Sequence, residues 1–384
     1  MTNIVMYVPF NRPLVLGCES DAIAQALAYG ELAGGGRYTK RCEAWLSRHA
    51  NTSSSLLTPS CTHALEMAAL LVDIQPGDEV IMPSWTFVST ANAFVLRGAT
   101  PVFVDVRLDT CNLDERLIEQ AITPKTKGIV PVHYAGVSCE MDAIMAIAER
   151  YGLWVIEDAA QAMMATYKER PLGGIGHLGA YSFHATKNYT SGGEGGALLI
   201  SRAELTDRAS IIREKGTNRE AFSRGAVDRY CWLDIGSSYL PSEVQSAALS
   251  AQLSQAEKVN RRRVMLWERY FQELEGVCFS HGIYLPAVPE GCQHNGHLFY
   301  LRCDNKALRD KLLSQLLGLG IMAQTHYEPL HLSPGGRKFG RVSGDHKHTI
   351  KVSNGLLRLP IHYALDEAEQ AYVIESLIEL IKRF

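Results

Sequence analysis

The stretch Leu153-Trp154-Val155-Ile156-Glu157-Asp158-Ala159-Ala160-Gln161 passes from four apolar residues into two carboxylates and then two small side chains. A short continuous apolar run of this kind reads as a strand buried on both faces, as strands are in a parallel sheet. Just upstream, Met141, Ile144, Met145, Ala148 and Tyr151 recur at helical spacing, which predicts a helix over Met141 to Tyr151. The alternation extends further back. Strands are expected over Glu79 to Met82, Pro101 to Asp105 and Gly128 to Val132, with helices over Thr90 to Arg97 and Asp114 to Ile122. Strand-helix alternation of this length predicts an α/β fold built on a mostly parallel sheet with helices on both faces. Ligands of such sheets bind beyond the carboxyl ends of the strands. Asp158 and His133 fall at such ends.

The pattern changes after Ile200. A helical stretch from Ala203 to about Glu214 leads into an irregular segment, Gly216 to Ser238, rich in Arg, Tyr and Gly. A long helical pattern from Ser242 to about Leu274 follows. Beyond it, a strand over His297 to Leu301 and helices over Ala307 to Leu317 and Asp366 to Arg383 predict a smaller α+β unit. The expected division is a large domain over 1–240 and a small one over 241–384, with the polar stretch Gly335 to His348 as a surface loop.

Composition narrows the classes of function. The chain has 384 residues, 46% hydrophobic and 21% charged, with a formal net charge of -3, which argues against non-specific nucleic-acid binding. Its nine cysteines include no Cys-x-x-Cys pair, so neither a disulfide framework nor a zinc site is indicated, and a reducing cytoplasm fits best. No apolar run is long enough to span a bilayer, and no membrane association is expected. No histidine pair has the helical spacing beside an acid that a metal site needs, so no metal is expected. His294, His297, His346 and His348 read as surface or core residues; the cluster Thr325 to His331 is kept as one that could face a cleft.

Twenty-nine residues after Asp158 stands Lys187, at the end of Ser182-Phe183-His184-Ala185-Thr186-Lys187 and before the glycine-rich Gly192-Gly193-Glu194-Gly195-Gly196. A carboxylate at a strand tip and a lysine beside a glycine run are what a pyridoxal phosphate enzyme requires. The lysine supplies a Schiff-base amine, and the carboxylate keeps the pyridine nitrogen protonated. An ordinary lysine is charged at neutral pH, so the reading requires burial, which the alternating apolar residues before Lys187 provide. Taken alone, Asp158 would read as a helix N-cap.

Three other segments fit the same cofactor. Thr58-Pro59-Ser60-Cys61-Thr62 precedes an Ala- and Leu-rich helix, whose free amides make a phosphate seat, although capping alone is the simpler use of such a turn. Pro83-Ser84-Trp85-Thr86-Phe87 sets an aromatic residue at the sheet edge, and Trp85 is expected to stack on the ring rather than fill the core. Gln161 can donate an amide hydrogen to the cofactor's phenolic oxygen, and the Ser182 hydroxyl can reach its phosphate.

With these motifs in order along most of the chain, the sequence resembles the DegT/DnrJ/EryC family of sugar aminotransferases, of the aspartate-aminotransferase fold (pyridoxal phosphate fold type I). That fold has a seven-stranded-type sheet between helices and a smaller C-terminal domain. Gly77 to Pro83, Val130 to Gly136 and Arg213 to Arg219 carry a closer likeness to the members that aminate dTDP-4-keto-6-deoxyglucose at C4 for enterobacterial common antigen. The resemblance implies Lys187 as the catalytic residue, with Ser60, Cys61, Thr62, Trp85, Asp158, Gln161 and Ser182 around the cofactor. It implies L-glutamate as amino donor, a nucleotide sugar as acceptor, and a homodimer in which Ser238 reaches the partner's cofactor, where many relatives have asparagine. Asn188, Arg219, His326 and Tyr327 are the candidate substrate residues. Amination with the opposite C4 stereochemistry, C3 amination of a related keto sugar, and a non-catalytic nucleotide-sugar-binding regulator are the alternatives.

Overall fold

The computed structural model describes residues 6–30 and 32–383. Its centre is an eight-stranded sheet in the order Ser54–Thr58, Gly196–Ile200, Leu178–Ser182, Trp154–Asp158, Thr126–Ile129, Glu79–Pro83, Thr100–Val104, Arg341–Val342. Only Gly196–Ile200 runs against its neighbours; every other pairing is parallel. Successive residues of each strand enter opposite cores, as the two-residue period requires. Leu57, Ile81, Val155 and Leu199 join one core, with the helices Arg37–Ala50, Met141–Tyr151 and Glu243–Leu253 over it. Leu56, Val80, Ile156 and Leu198 join the other, covered by Cys61–Leu71, Val88–Val95 and Thr206–Arg213. The helix Met141–Tyr151 has the expected bounds. The strand expected to reach Val132 stops pairing regularly at Ile129, because Pro131 has no amide hydrogen for the ladder; Val130 still donates to Ile81 across 2.8 Å.

The chain leaves this first unit later than residue 240. The long helical pattern is two helices, Glu243–Leu253 and Ala256–Cys278, and the first packs wholly in the large unit. In the second, a 23-residue helix, Ala256 and Val259 belong to the core of the large sheet, whereas Leu266, Trp267, Tyr270 and Leu274 belong to the C-terminal core. The C-terminal unit is an antiparallel sheet of Ile283–Tyr284, Phe299–Cys303 and Leu356–Leu359 under Lys306–Gly318 and Glu367–Ile381. Val8 of the N-terminal segment adds to its edge, bonding Gly320 and Met322 at 2.9 and 3.0 Å.

The polar stretch from Gly335 to His348 is not a simple surface loop. It begins in the short helix Pro334–Phe339 and supplies Arg341–Val342 as the eighth strand, parallel to Val102 and Phe103. Arg341 grips Glu79 with two hydrogen bonds of 2.8 and 2.7 Å. A two-residue edge strand has no periodicity to read, and its partner carboxylate lies 262 residues away.

Candidate active site

At the carboxyl ends of the parallel strands lies a cleft of about 840 Å³. Lys187, Asp158, Gln161 and Ser182 reach it from the large sheet; Arg263, His297, His326, Tyr327 and Arg358 reach it from the C-terminal unit.

Lys187 ends a turn closed by its own amide on His184 at 2.9 Å, and the turn is backed by Ala185 donating to Gly193 at 2.7 Å. Gly193 has a φ of +129°, which a side chain would strain. A Cβ on Gly196 would collide with the backbone of Ser60 and Cys61, so this glycine lets the Gly196–Ile200 strand lie against the first turn of the next helix. Burial lowers the Lys187 pKa below the ordinary lysine value, against the opposing pull of Cys61 and Asp158 and with help from Arg358. A larger share of its amine is therefore free near neutrality.

Asp158 is fixed on all sides. Its amide donates to Pro131 at 2.9 Å and its carbonyl accepts from His133 at 3.1 Å. Oδ2 accepts from the Thr90 hydroxyl at 2.6 Å and Oδ1 from the Ala160 amide at 3.2 Å. Its neighbour Glu157 points the other way, into a dry network of the His133 ring (2.8 Å) and the amides of Gly173, Ile175 and Gly176. Adjacent acids thus have separate uses, one in the cleft and one binding a loop to the sheet. Gln161 accepts from the Ala135 amide with Oε1 at 2.7 Å, which fixes its Nε2 toward the Tyr327 hydroxyl, 3.1 Å away.

The helix Cys61–Leu71 points its amino end into the cleft, with Cys61 and Thr62 on the wall. The Ser60 hydroxyl is already used as the helix cap, accepting from His63 at 3.2 Å. Thr62 shares a 2.8 Å hydrogen bond with Ser89, and burial together with Asp158 keeps the Cys61 thiol protonated, its pKa well above the ordinary value.

Four expected site residues lie elsewhere. Trp85 is fully buried behind the wall, edge-on to Tyr134 and Tyr327, and does not line the cleft; Phe87, two residues on, does, and is 56% exposed. The strand end turns between them, so the second aromatic faces the ligand space. Asn188 is buried beneath the wall, joined to Asn295 at 3.1 Å and His297 at 2.8 Å. Its side chain holds the two units together rather than facing substrate. Arg219 is exposed, 3.8 Å from Glu214, and Ser238 is exposed in a bridge with Glu214; neither lines the cleft of its own chain. His326 and Tyr327 stand where expected, their rings stacked 3.7 Å apart, with His326 Nδ1 2.6 Å from the Tyr134 hydroxyl. Burial, aided by Arg358 and Lys187, holds His326 well below the ordinary histidine range and so neutral.

Phe87, Arg263, His297 and Arg358 were not found from the sequence, nor was the segment holding Tyr7, Phe10 and Asn11, which closes one side of the cleft. The guanidinium of Arg358 lies 4.8 Å from the centre of the Phe10 ring, donates to the Thr325 carbonyl at 2.8 Å, and has no carboxylate partner among the described residues. The Pro83-to-Phe87 turn carried a usable signal for Phe87, since both aromatics sit at the sheet edge. The others come from segments that no local pattern ties to the cleft.

A lysine with a lowered pKa, an oriented carboxylate, a fixed amide, an exposed aromatic face and a helix amino end converge on one cleft. Such a set has the chemistry to hold the aldehyde, pyridine nitrogen, phenolic oxygen, ring and phosphate of pyridoxal phosphate. Residues 17–378 match the sequence profile of the DegT/DnrJ/EryC1/StrS aminotransferase family. The chain belongs to this family. It is an aminotransferase, and pyridoxal phosphate is its cofactor. SpsC, a spore coat polysaccharide biosynthesis protein of Bacillus subtilis, is 33% identical over 98% of this chain and 97% of its own. Among solved structures, S. venezuelae DesV superposes with a TM-score of 0.89 at 33% identity, over 98% of this chain and 99% of that one. Spr1654 from Streptococcus pneumoniae, solved in its PLP form, gives 0.89 at 27% identity, over 98% of this chain and 99% of that one. No described helix is long and apolar enough to cross a membrane.

Proposed function

We propose that this aminotransferase moves the amino group of L-glutamate to C4 of dTDP-4-keto-6-deoxyglucose, giving dTDP-4-amino-4,6-dideoxygalactose for a surface polysaccharide. The observation that carries the reading is the make-up of the cleft. One wall has the cofactor set of Lys187, Asp158 and Gln161, and the facing wall has Arg263, His297, His326 and Arg358, suited to an anionic, hydroxyl-rich substrate. The sequence likeness of Val130 to Gly136 and Arg213 to Arg219 supports the choice of sugar, and the polysaccharide role of SpsC supports the class.

Bound pyridoxal phosphate supplies the electron sink that stabilises negative charge at the carbon losing or gaining a proton. The chain supplies everything else. Nζ of Lys187 takes the proton from the donor's α-carbon and delivers one to the sugar carbon, a task for which its lowered pKa suits it. The Asp158 carboxylate, held by Ala160 and Thr90, would pair with the pyridine nitrogen and keep it protonated. The Gln161 amide would serve the phenolic oxygen, the helix end at Cys61 and Thr62 with Ser182 would hold the phosphate, and Phe87 would cover the ring.

We further propose an obligate two-fold dimer. The segment around Arg219, Tyr230 and Ser238 exposes Trp232 (81%) and Leu233, a cost in apolar surface that a partner subunit would remove. Ser238 and Arg219 would then act in the neighbour's cleft.

The test is incubation of the purified protein with glutamate and dTDP-4-keto-6-deoxyglucose, with the product read by NMR. The axial C4 amine supports the proposal. An equatorial amine, an amine at C3, or no transfer at all replaces it with one of the alternatives.

A further inference from the structure

His297 reads from sequence as an ordinary buried histidine. Its hydrogen bonds say more. Asn188 Nδ2 donates to the Asn295 carbonyl, which can only accept, so the other Asn188 atom, facing His297 Nδ1 at 2.8 Å, is the amide oxygen. An amide oxygen cannot donate. Nδ1 of His297 therefore carries the hydrogen, and Nε2 of the neutral ring is a bare acceptor.

The backbone of His297 is held as firmly as Nδ1 of its ring. The His297 amide donates to Asn295 Oδ1 at 3.0 Å, and its carbonyl accepts from Arg263 at 2.9 Å. Asn295 in turn donates to the carbonyls of Gln161 and Met163 at 2.8 and 2.9 Å. One hub thus fixes Asn188, next to Lys187, together with the backbone of Gln161. Burial, with the positive charges of Lys187, Arg263 and Arg358 around it, keeps the His297 ring well below the ordinary histidine range. Nε2 alone has no partner among the described residues, is not sealed from the cleft, and belongs to a side chain on the cleft wall. Lys187 makes no hydrogen bond to it.

We propose that His297 Nε2 is a specificity-determining acceptor for a sugar hydroxyl, the one on the carbon next to the reacting ketone. The assignment rests on the keto-sugar reading of the cleft. Each cation of the facing wall donates; His297 is the group there fixed to accept, and a hydroxyl is the donor that a keto sugar offers beside its reacting carbon. A site built to accept from a hydroxyl discriminates strongly against an analogue that lacks it, because the acceptor is left unpaired.

Nitrogen-15 NMR of the histidine-labelled holoenzyme is the first measurement. A neutral ring protonated at Nδ1 is expected for His297, with an Nε2 signal that moves on adding the nucleotide keto sugar and stays in place on adding glutamate. The second measurement uses His297→Phe, shown folded by its melting curve. Its KM for the keto sugar should rise about 10- to 100-fold, with the loss concentrated in the sugar half-reaction. For the analogue lacking that hydroxyl, wild type and variant should converge. Equal losses on sugar and analogue, or an Nε2 signal unmoved by the sugar, overturn the proposal. Should the variant fail to fold, the NMR result on the wild type decides alone. If the wild type fails to convert its cofactor with glutamate at all, the aminotransfer reading fails instead, which is a separate outcome.

Discussion

Thr90 Oγ1 donates to Asp158 Oδ2 across 2.6 Å, and because that hydroxyl has one hydrogen, the 2.7 Å contact with Thr86 must be a bond from Thr86 to Thr90. The two threonines form a short polarised chain ending on the carboxylate. A bond to a charged group contributes about 1.5–3 kcal/mol. Thr90→Val should therefore cut turnover about tenfold, and Asp158→Asn by about 100-fold or more, with melting temperatures little changed. Stopped-flow absorbance of the glutamate half-reaction reads both; equal rates in all three proteins would disprove the role of Asp158.

Lys187→Ala should abolish turnover, since no other lysine lines the cleft among the described residues. Lys187→Arg should be no better, because guanidinium stays protonated. Steady-state amination with excess glutamate is the assay.

The lowered pKa of Lys187 has a sign that can be checked. In the apoprotein the unfolded chain binds this proton up to the ordinary value near 10.4, whereas the folded chain releases it earlier. Between the two values the unfolded state holds more protons, so stability should rise with pH across that window. Below the folded value the penalty is present in full. Urea midpoints of wild type and Lys187→Met across this range should converge at the alkaline end.

The two aromatics of the Pro83-to-Phe87 turn should separate cleanly. Trp85→Ala removes a fully buried side chain and should cost about 3–5 kcal/mol in denaturant unfolding. Phe87→Ala should leave stability within about 1 kcal/mol and weaken cofactor affinity about tenfold, measured by titrating apoprotein. The opposite pattern would return Trp85 to the ring.

Shared sites predict rescue. Lys187→Ala and a chain deleted over 219–232 should each be inactive, yet regain part of the activity once subunits exchange. One hybrid site then draws its lysine from one chain and its loop from the other. No recovery after confirmed exchange, or a fully active monomer by light scattering, would remove the shared-site reading.

How far the sequence could be read depended on where each signal lay. Lys187, Asp158 and Gln161 were legible because strand ends mark ligand positions and their chemistry is distinctive. The two-core alternation of Val155 and Ile156 was legible as an apolar run. Phe87 was lost to Trp85 because the motif brings both aromatics to the sheet edge, and one backbone turn that no local residue marks decides which of the two faces out. Asn188 was misassigned because its partners, Asn295 and His297, lie over a hundred residues away. Arg341–Val342 and Arg358 were hidden for the same reason: their meaning comes from tertiary neighbours, not from their own neighbours in the chain.

Val8 is stitched to Gly320 and Met322, with Tyr7 and Phe10 at the mouth of the cleft. Bulk or charge added to this segment would therefore sit beside the mouth of the cleft, where it competes with an incoming substrate. Kinetic work on this enzyme is better served by an affinity handle at the carboxyl end or by complete removal of an amino-terminal one, and constants from amino-terminally extended protein are best compared with those of the cleaved form.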